Sequence, residues 1–161
     1  MSQLPVRQKA FIRVARRPHK LIFGLSLLTL LGACSGSPPD KLGVQNGRLA
    51  PCPASPNCVS SQAGDAEHRI DPLPLNGSPG ETRSRLLAVL ASEPRVKLVA
   101  QQDDYLRAEF TSRVLRFVDD VEFLIGAQAV DVRSASRLGH GDFGVNRERI
   151  EHLRQRLREQ P

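Results

Sequence analysis

Residues 105–136 read YLRAEFTSRVLRFVDDVEFLIGAQAVDVRSAS, and apolar and polar side chains alternate along much of this stretch. Alternation with a period of two is typical of β-strands that have one buried face. It predicts four strands, at Val96–Gln101, Tyr105–Thr111, Val114–Ile125 and Ala129–Ser136. Because only short connections separate these segments, the sequence predicts an antiparallel four-stranded meander.

One helix is predicted before the meander in the sequence, and a second helix is predicted after it. Ser78-Pro79-Gly80-Glu81 combines an N-cap serine, a proline at the first helical position and a capping-box glutamate, and Pro94 follows the end of this helix. The second helix is predicted to begin at Asn146 as N-cap and to run through Arg158. The predicted fold class is therefore α+β, with the two helices packed on one face of the sheet.

A basic N-terminus precedes a short apolar run. Residues 1–20 hold six basic and no acidic side chains, and residues 21–31 read LIFGLSLLTLL. Such a pattern, with small residues at its end, is typical of a secretory signal peptide, and the run is too short to span a bilayer as a helix. The ending Leu31-Gly32-Ala33-Cys34 resembles the bacterial lipobox.

This resemblance predicts a lipoprotein signal peptide at residues 1–33 and acylation of Cys34, whose lipid would hold the chain in a membrane. Ser35 indicates by analogy the outer membrane, with the domain facing the periplasm. The alternatives are an ordinary signal peptide and an uncleaved anchor with a chance cysteine. Arg16-Arg17 suggests a twin-arginine route, but the following residues lack the apolar pair of that motif, so the general secretory route is favoured.

The positive charge of the chain lies in this leader. The chain has 23 Lys and Arg against 17 Asp and Glu, and six of the basic residues fall within residues 1–33. The remainder is therefore neutral overall. Aromatic residues make up 4% of the chain and Trp is absent, so neither charge nor base stacking favours binding to nucleic acid.

Residues 34–50 are rich in Gly, Ser, Pro and Asn and predict a flexible tether from Cys34 to a single domain at residues 51–161. In an oxidising compartment Cys52 and Cys58 remain as an even pair, for which a disulfide is the favoured interpretation. The alternatives are a redox pair, which usually has two intervening residues, and a metal site, for which a second pair at zinc spacing is lacking.

Three motifs follow one another along the domain. They are CPASPNCVSS at residues 52–61, FVDDVEF at residues 117–123, and RSASRLG at residues 133–139 with Asp142, Gly144, Asn146 and Arg147 after it. Over about residues 51–158 the chain resembles the family catalogued as domain of unknown function 1499. The resemblance implies a bacterial envelope protein and, since that family has no agreed activity, no particular reaction.

Asp119 has the same strand parity as Val121 and Phe123, which would aim its carboxylate at the core. Burial without a partner would be costly. We therefore expect either a bulge at Asp119-Asp120 or a pairing arginine, with Arg133, Arg137 and Arg147 as candidates. A ligand-binding or catalytic carboxylate is the functional alternative.

Residues 133–147 combine glycines with polar and charged side chains and lead into the second predicted helix. Free amides at a helix N-terminus, with arginines nearby, can hold an anion, so a small carboxylate or phosphate ligand is one prediction. The other is that these side chains only tie the loop to the acids of the third strand. The candidate cluster consists of Asp119, Asp120, Glu122, Arg133, Ser134, Ser136, Arg137, His140, Asp142, Asn146 and Arg147.

Enzymatic function is the less favoured interpretation. A hydrolytic triad would have to come from Ser60 or Ser61, His68 or His140, and Asp142, without a Gly-x-Ser-x-Gly elbow. A metal could be held only by Asp119, Asp120, Glu122 and His140, although adjacent acids on a strand point to opposite faces.

The sequence favours a lipid-anchored envelope module without a cofactor. This module would bind an envelope protein or a small anionic ligand. A hydrolase is the alternative, and a purely structural accessory factor is a third class.

Overall fold

The computed structural model describes residues 36–160, which form an antiparallel sheet of six strands and two helices. In chain order the elements are β1 (Cys58–Ser60), β2 (Leu73–Pro74), α1 (Pro79–Ser92), β3 (Val96–Gln101), β4 (Tyr105–Thr111), β5 (Val118–Ile125), β6 (Ala129–Ser136) and α2 (Val145–Arg158). The strands lie in the order β1-β6-β5-β4-β3, and β2 also pairs with β6. Neither helix in this part of the chain has the length and apolar character to cross a membrane.

The predicted α+β class is confirmed, but the sheet is larger than a four-stranded meander. Strands β3 to β6 form the meander, and β1 and β2 pair with the free edge of β6, where Cys58 lies opposite Ala135 and Leu73 opposite Val130. The two additional strands have three and two residues. Segments this short show no alternation in a sequence, which is why they were not predicted.

Strand β5 begins at Val118, whereas the sequence predicts a strand from Val114. Arg116 has a φ of 59°, which is outside the strand region, and Ser112 donates its backbone N–H to the carbonyl of Phe117. Residues 112–117 therefore form a loop between β4 and β5. Val114 and Leu115 in this loop are 81% and 61% exposed.

Helix α1 begins as predicted. The side chain of Ser78 accepts a hydrogen bond from the Glu81 N–H, and the Glu81 carboxylate accepts one from the Ser78 N–H at 2.7 Å, which completes the capping box. Helix α2 differs from the prediction, because its N-cap is Gly144, with a left-handed φ of 83°, and not Asn146. Asn146 is buried in the first turn.

One hydrophobic core lies between the sheet and both helices. Most of its residues come from α1 (Leu86, Val89, Leu90), from α2 (Ile150, Leu153, Leu157) and from β5 and β6 (Val121, Phe123, Ile125, Val130, Val132). Burial of each such side chain stabilises the fold by about 1.5–3 kcal/mol relative to exposure. Both helices therefore cover the same face of the sheet, which we call the helix face; the opposite face is the second face.

Part of the N-terminal segment, residues 36–52, packs on the second face. Gly43 donates its N–H to Glu122 Oε1 at 2.7 Å, and Leu49, which is buried, donates its N–H to Gln62 Oε1 at 2.9 Å. The sequence predicts a tether up to residue 50 and a domain from residue 51. The structure shows that Gly43 and Leu49 contact the domain directly.

Cys52 and Cys58 form a disulfide, which confirms the predicted pairing. Because Cys58 begins β1, the bridge links the end of the N-terminal segment covalently to the sheet.

We expect Cys52→Ser/Cys58→Ser to lower the free energy of unfolding by about 2 kcal/mol. The bridge closes a loop with a sequence separation of 6, and the loss of so short a cross-link frees little chain entropy in the unfolded state. Urea unfolding of the double variant and of the wild type would measure the difference, and reductant should destabilise only the wild type. Two maleimide-reactive thiols at these positions in folded, unreduced protein would contradict the assignment.

Candidate functional site

Asp119 and Asp120 point to opposite faces of the sheet because side chains alternate along β5. The Asp119 carboxylate pairs with Arg149 Nη2 on α2, on the helix face. Asp120 pairs with Arg137, which follows β6, on the second face. The register to β4 is unbroken, with Asp119 opposite Phe110 and Asp120 opposite Glu109, so no bulge turns Asp119 outwards. The two acids belong to separate clusters.

The expected arginine partner of Asp119 exists, but all three candidates were wrong. Arg149 lies three residues after Asn146 on α2, and its guanidinium also lies 5.0 Å from the centre of the Phe110 ring. Arg149 lies beyond residues 133–147, the stretch from which the three candidates come. Arg149 lies four residues before Leu153, which belongs to the apolar stripe of the helix. This spacing predicts that Arg149 lies on the side of the helix that faces the sheet.

Ser134, Ser136 and Asn146 join this pair in a cluster between β6 and α2. Ser134 Oγ donates to Asn146 Oδ1 at 2.6 Å, and Asn146 Nδ2 donates to Ser136 Oγ at 3.0 Å. Arg149 Nη1 donates to both Ser134 Oγ and Asn146 Oδ1. These side chains bind one another, and the result is a fixed position of α2 on the sheet.

Asp142 occupies the N-terminus of α2. Its carboxylate accepts hydrogen bonds from the N–H groups of Gly144 at 3.0 Å and Asn146 at 2.8 Å. Burial raises the pKa of Asp142, but these hydrogen bonds and one from the Asn146 side chain outweigh it and leave the pKa below its ordinary value. The anion that the sequence predicts at this helix end is thus the chain's own carboxylate. The N–H of Asn146 in the first turn is thus satisfied by Asp142 and not by a side chain at the N-cap, which is Gly144.

A second cluster fills the second face of the sheet. We call it the second-face cluster, and it consists of Tyr105, Arg107, Glu109, Asp120, Glu122, Arg133 and Arg137. Asp120 and Glu122 are 1% and 0% exposed. Three carboxylates face three guanidinium groups, so the formal charges balance within the cluster.

The hydrogen bonds of this cluster hold its arginines in place. Arg137 binds Asp120 through two hydrogen bonds, of 2.7 and 2.9 Å, and binds Glu109 at 2.5 Å. Glu122 accepts hydrogen bonds from Tyr105 Oη at 2.8 Å and from Arg133 Nη1 at 3.1 Å. Burial and the Glu122 charge raise the pKa of Tyr105, which stays a protonated donor. Hydrogen bonding to Asp120 raises the pKa of Arg137.

Arg133 and Arg137 also line an open cleft between the N-terminal segment and β6, which we call the Arg133 cleft. Its volume is about 520 Å³, within the range of about 300–1,000 Å³ that is usual for ligand pockets. Its lining holds three basic and no acidic side chains. The residues that line the cleft are Pro39, Lys41, Leu42, Ala50, Pro51, Cys52, Pro53, Ser55, Asn57, Arg133, Ala135, Ser136, Arg137 and Gly139.

Arg133 is not fully hydrogen-bonded. The residue is 5% exposed, its Nη1 donates to Glu122, and its Nε has no hydrogen-bond partner within residues 36–160. Buried donors without a partner are rare in folded proteins and destabilise them. This unpaired donor distinguishes the cleft from the closed cluster around Asp119.

The remaining predicted residues lie elsewhere. Arg147 donates to the backbone carbonyls of Glu67 and Arg69, and His140 is exposed in the loop before α2. Across the part of the chain that the structure describes, no three His, Cys, Asp or Glu side chains are grouped to hold a metal ion. Cys34 lies outside the described residues.

The residues proposed for a hydrolytic triad are not brought together. Ser61 Oγ donates to Asp131 at 2.7 Å, and His68 contacts Asp65 through Nδ1 at 2.7 Å and the Ser55 carbonyl through Nε2 at 3.2 Å. Both ring nitrogens of His68 are therefore engaged, and neither contacts a serine hydroxyl.

The structure defines a small α+β domain with charged side chains buried on both faces of its sheet. The family described as "Protein of unknown function (DUF1499)" matches residues 48–157. The chain belongs to this family, as its motifs predicted. Neither the curated proteins nor the solved structures yield a match. Residues of the first and third motifs meet in the Arg133 cleft, and the second motif supplies Asp120 and Glu122 beneath it.

We expect Asp119→Ala to lower the free energy of unfolding by about 3–5 kcal/mol, because it leaves a largely buried Arg149 without its counter-charge. Glu159→Ala, at the exposed end of α2, is the control and should change it by less than about 0.5 kcal/mol. Urea unfolding of both variants at one pH measures the two effects. A loss below about 1 kcal/mol in Asp119→Ala would show that the pair does not stabilise the fold.

Proposed function

We propose that this chain is a lipid-anchored lipoprotein of the bacterial cell envelope whose domain binds a small anionic ligand in the Arg133 cleft. The anchor is supported by the basic residues 1–20, the apolar run at residues 21–31 and the lipobox-like ending at Cys34. The proposed position is at the outer membrane, with the domain in the periplasm. An envelope location also agrees with the paired cysteines.

The unpaired Nε of Arg133 is the observation that carries the ligand proposal. Glu122 accepts a hydrogen bond from Nη1 and so fixes the orientation of the guanidinium plane. Arg133 lines the cleft, and a carboxylate or phosphate oxygen that enters far enough to reach the buried Nε would accept the hydrogen bond that this atom lacks. Both groups match the planar donor geometry of arginine better than other common anions do.

The charges around the cleft favour the same chemistry. Arg133, Arg137 and Lys41 line it, whereas the balancing carboxylates of Asp120 and Glu122 are buried in the sheet beneath. Leu42, Ala135 and several prolines supply apolar surface on the same walls. We therefore propose a ligand that combines one carboxylate or phosphate group with an apolar portion.

We expect inorganic phosphate to shift the Nε–H resonance of Arg133 and the amide resonances of Ser136 and Gly139 in ¹⁵N-labelled protein at constant ionic strength. Arg133→Lys retains the charge but removes the planar donors. It should weaken phosphate binding about tenfold or more, because a hydrogen bond to a charged group contributes about 1.5–3 kcal/mol.

Two further variants make this test independent of folding. Lys41→Met removes an exposed charge outside the second-face cluster and should weaken binding about two- to fivefold, with unfolding unchanged. Arg158→Met removes an exposed charge at the end of α2 and should have no effect. Equal affinities for Arg133→Lys and the wild type, or shifts away from the cleft, would refute the ligand proposal.

The anchor has its own test. Mass spectrometry of protein purified from membranes should find an N-terminus at Cys34 that carries acyl chains, and Cys34→Ala should prevent both acylation and cleavage after Ala33. A wild-type chain with an unacylated Cys34, or one cut at another site, would contradict the lipoprotein assignment.

A further inference from the structure

We propose that one end of the domain docks on the surface of a lipid bilayer. This docking end consists of residues 112–117 and 137–145. Eight large apolar side chains are exposed within residues 36–160, and six of them lie in the docking end: Val114, Leu115, Phe117, Leu138, Phe143 and Val145. Apolar side chains concentrated in this way mark an interaction surface, whereas single exposed ones do not.

The topology of the sheet brings the two loops to the same end. Residues 112–117 precede β5, and residues 137–145 follow β6. The beginning of β5 lies beside the end of β6, because Asp119 is opposite Ser136 and Arg137 donates its N–H to the Val118 carbonyl at 3.1 Å. Both loops therefore leave the sheet on the same side.

The composition of the first loop suits a bilayer surface. Val114 and Leu115 lie between Arg113 and Arg116, and residues 112–117 contain no acid. Apolar side chains can enter the boundary between headgroups and acyl chains, while neighbouring arginines extend to the lipid phosphates. Arg95 is exposed. It lies beside this loop, because its carbonyl accepts a hydrogen bond from the N–H of Thr111 at the end of β4.

The chain leading to Cys34 starts from the same end of the domain. Gly36 lies against Leu138, and Arg137 Nη1 donates to the Gly36 carbonyl at 3.4 Å. Cys34 precedes Gly36 by two residues, which can span at most about 7 Å. A lipid on Cys34 would thus hold the docking end close to the bilayer. This step rests on the proposed lipidation.

A tryptophan reporter can test the docking directly, because the chain has no Trp. We expect Leu115→Trp, in mature protein reconstituted into phosphatidylethanolamine and phosphatidylglycerol vesicles, to show blue-shifted emission that lipids brominated near the headgroup quench. Gln128→Trp is the matched control. It lies in the exposed hairpin between β5 and β6, at the opposite end of the sheet, and should keep water-like, unquenched emission.

Charge reversal tests the role of the arginines. Arg113→Glu/Arg116→Glu in the Leu115→Trp background should abolish the quenching, while mass spectrometry still finds acylated Cys34. Unquenched emission from acylated Leu115→Trp protein would overturn the docking proposal and leave the anchor intact. A blue shift that depends on protein concentration and not on brominated lipid would also overturn it, in favour of contact between two copies. An unacylated Cys34 would overturn the anchor. The docking would then be tested by adding vesicles with brominated lipids to the Leu115→Trp protein, and unquenched emission would overturn it.

Discussion

Asp120 and Glu122 are buried on the face of the sheet that lies away from the helices, and carboxylates in such a place require partners. Arg133 in β6 and Arg137 directly after it supply the counter-charges. Tyr105 adds a hydrogen bond from β4. The pairing therefore connects three adjacent strands through side chains as well as through the backbone ladder. Gly43 closes the cluster from the N-terminal segment, which the disulfide at Cys52 also holds to the sheet.

The same pairing creates the proposed binding site. Arg137 donates from all three guanidinium nitrogens, to Asp120, to Glu109 and to the Gly36 carbonyl, whereas Arg133 donates to Glu122 through Nη1. The lining of the cleft holds no acidic side chain. The unpaired Nε of Arg133 is the clearest sign of this arrangement. On the helix face the comparable groups are satisfied within the protein, because Arg149 pairs with Asp119 and Asp142 caps α2. The two faces thus differ in structure although both bury charge: on one the charged pair fixes a helix, and on the other Arg133 and Arg137 line an open cleft.

Local rules predicted part of this structure. The capping box of α1, the strand parity of β4 and β6 and the need of Asp119 for an arginine all follow from short-range patterns. Long-range pairings could not be derived in this way, which is why Arg149 was missed. Alternation also suggested a single buried face, whereas Asp120 and Glu122 are buried on the other one. The N-terminal segment carries no periodic signal, because its contacts at Gly43 and Leu49 are made by backbone N–H groups that any residue type but proline has.

A double-mutant cycle on Asp120 and Arg137 measures the central interaction most directly. The single variants Asp120→Ala and Arg137→Ala and the double variant, unfolded in urea under identical conditions, give the coupling free energy of the pair. If the buried pair organises the second face, the coupling should be about 2–3 kcal/mol, at the upper end of values for contacting residues. Additive effects, with a coupling within about 0.5 kcal/mol of zero, would contradict this explanation of the fold and its cleft.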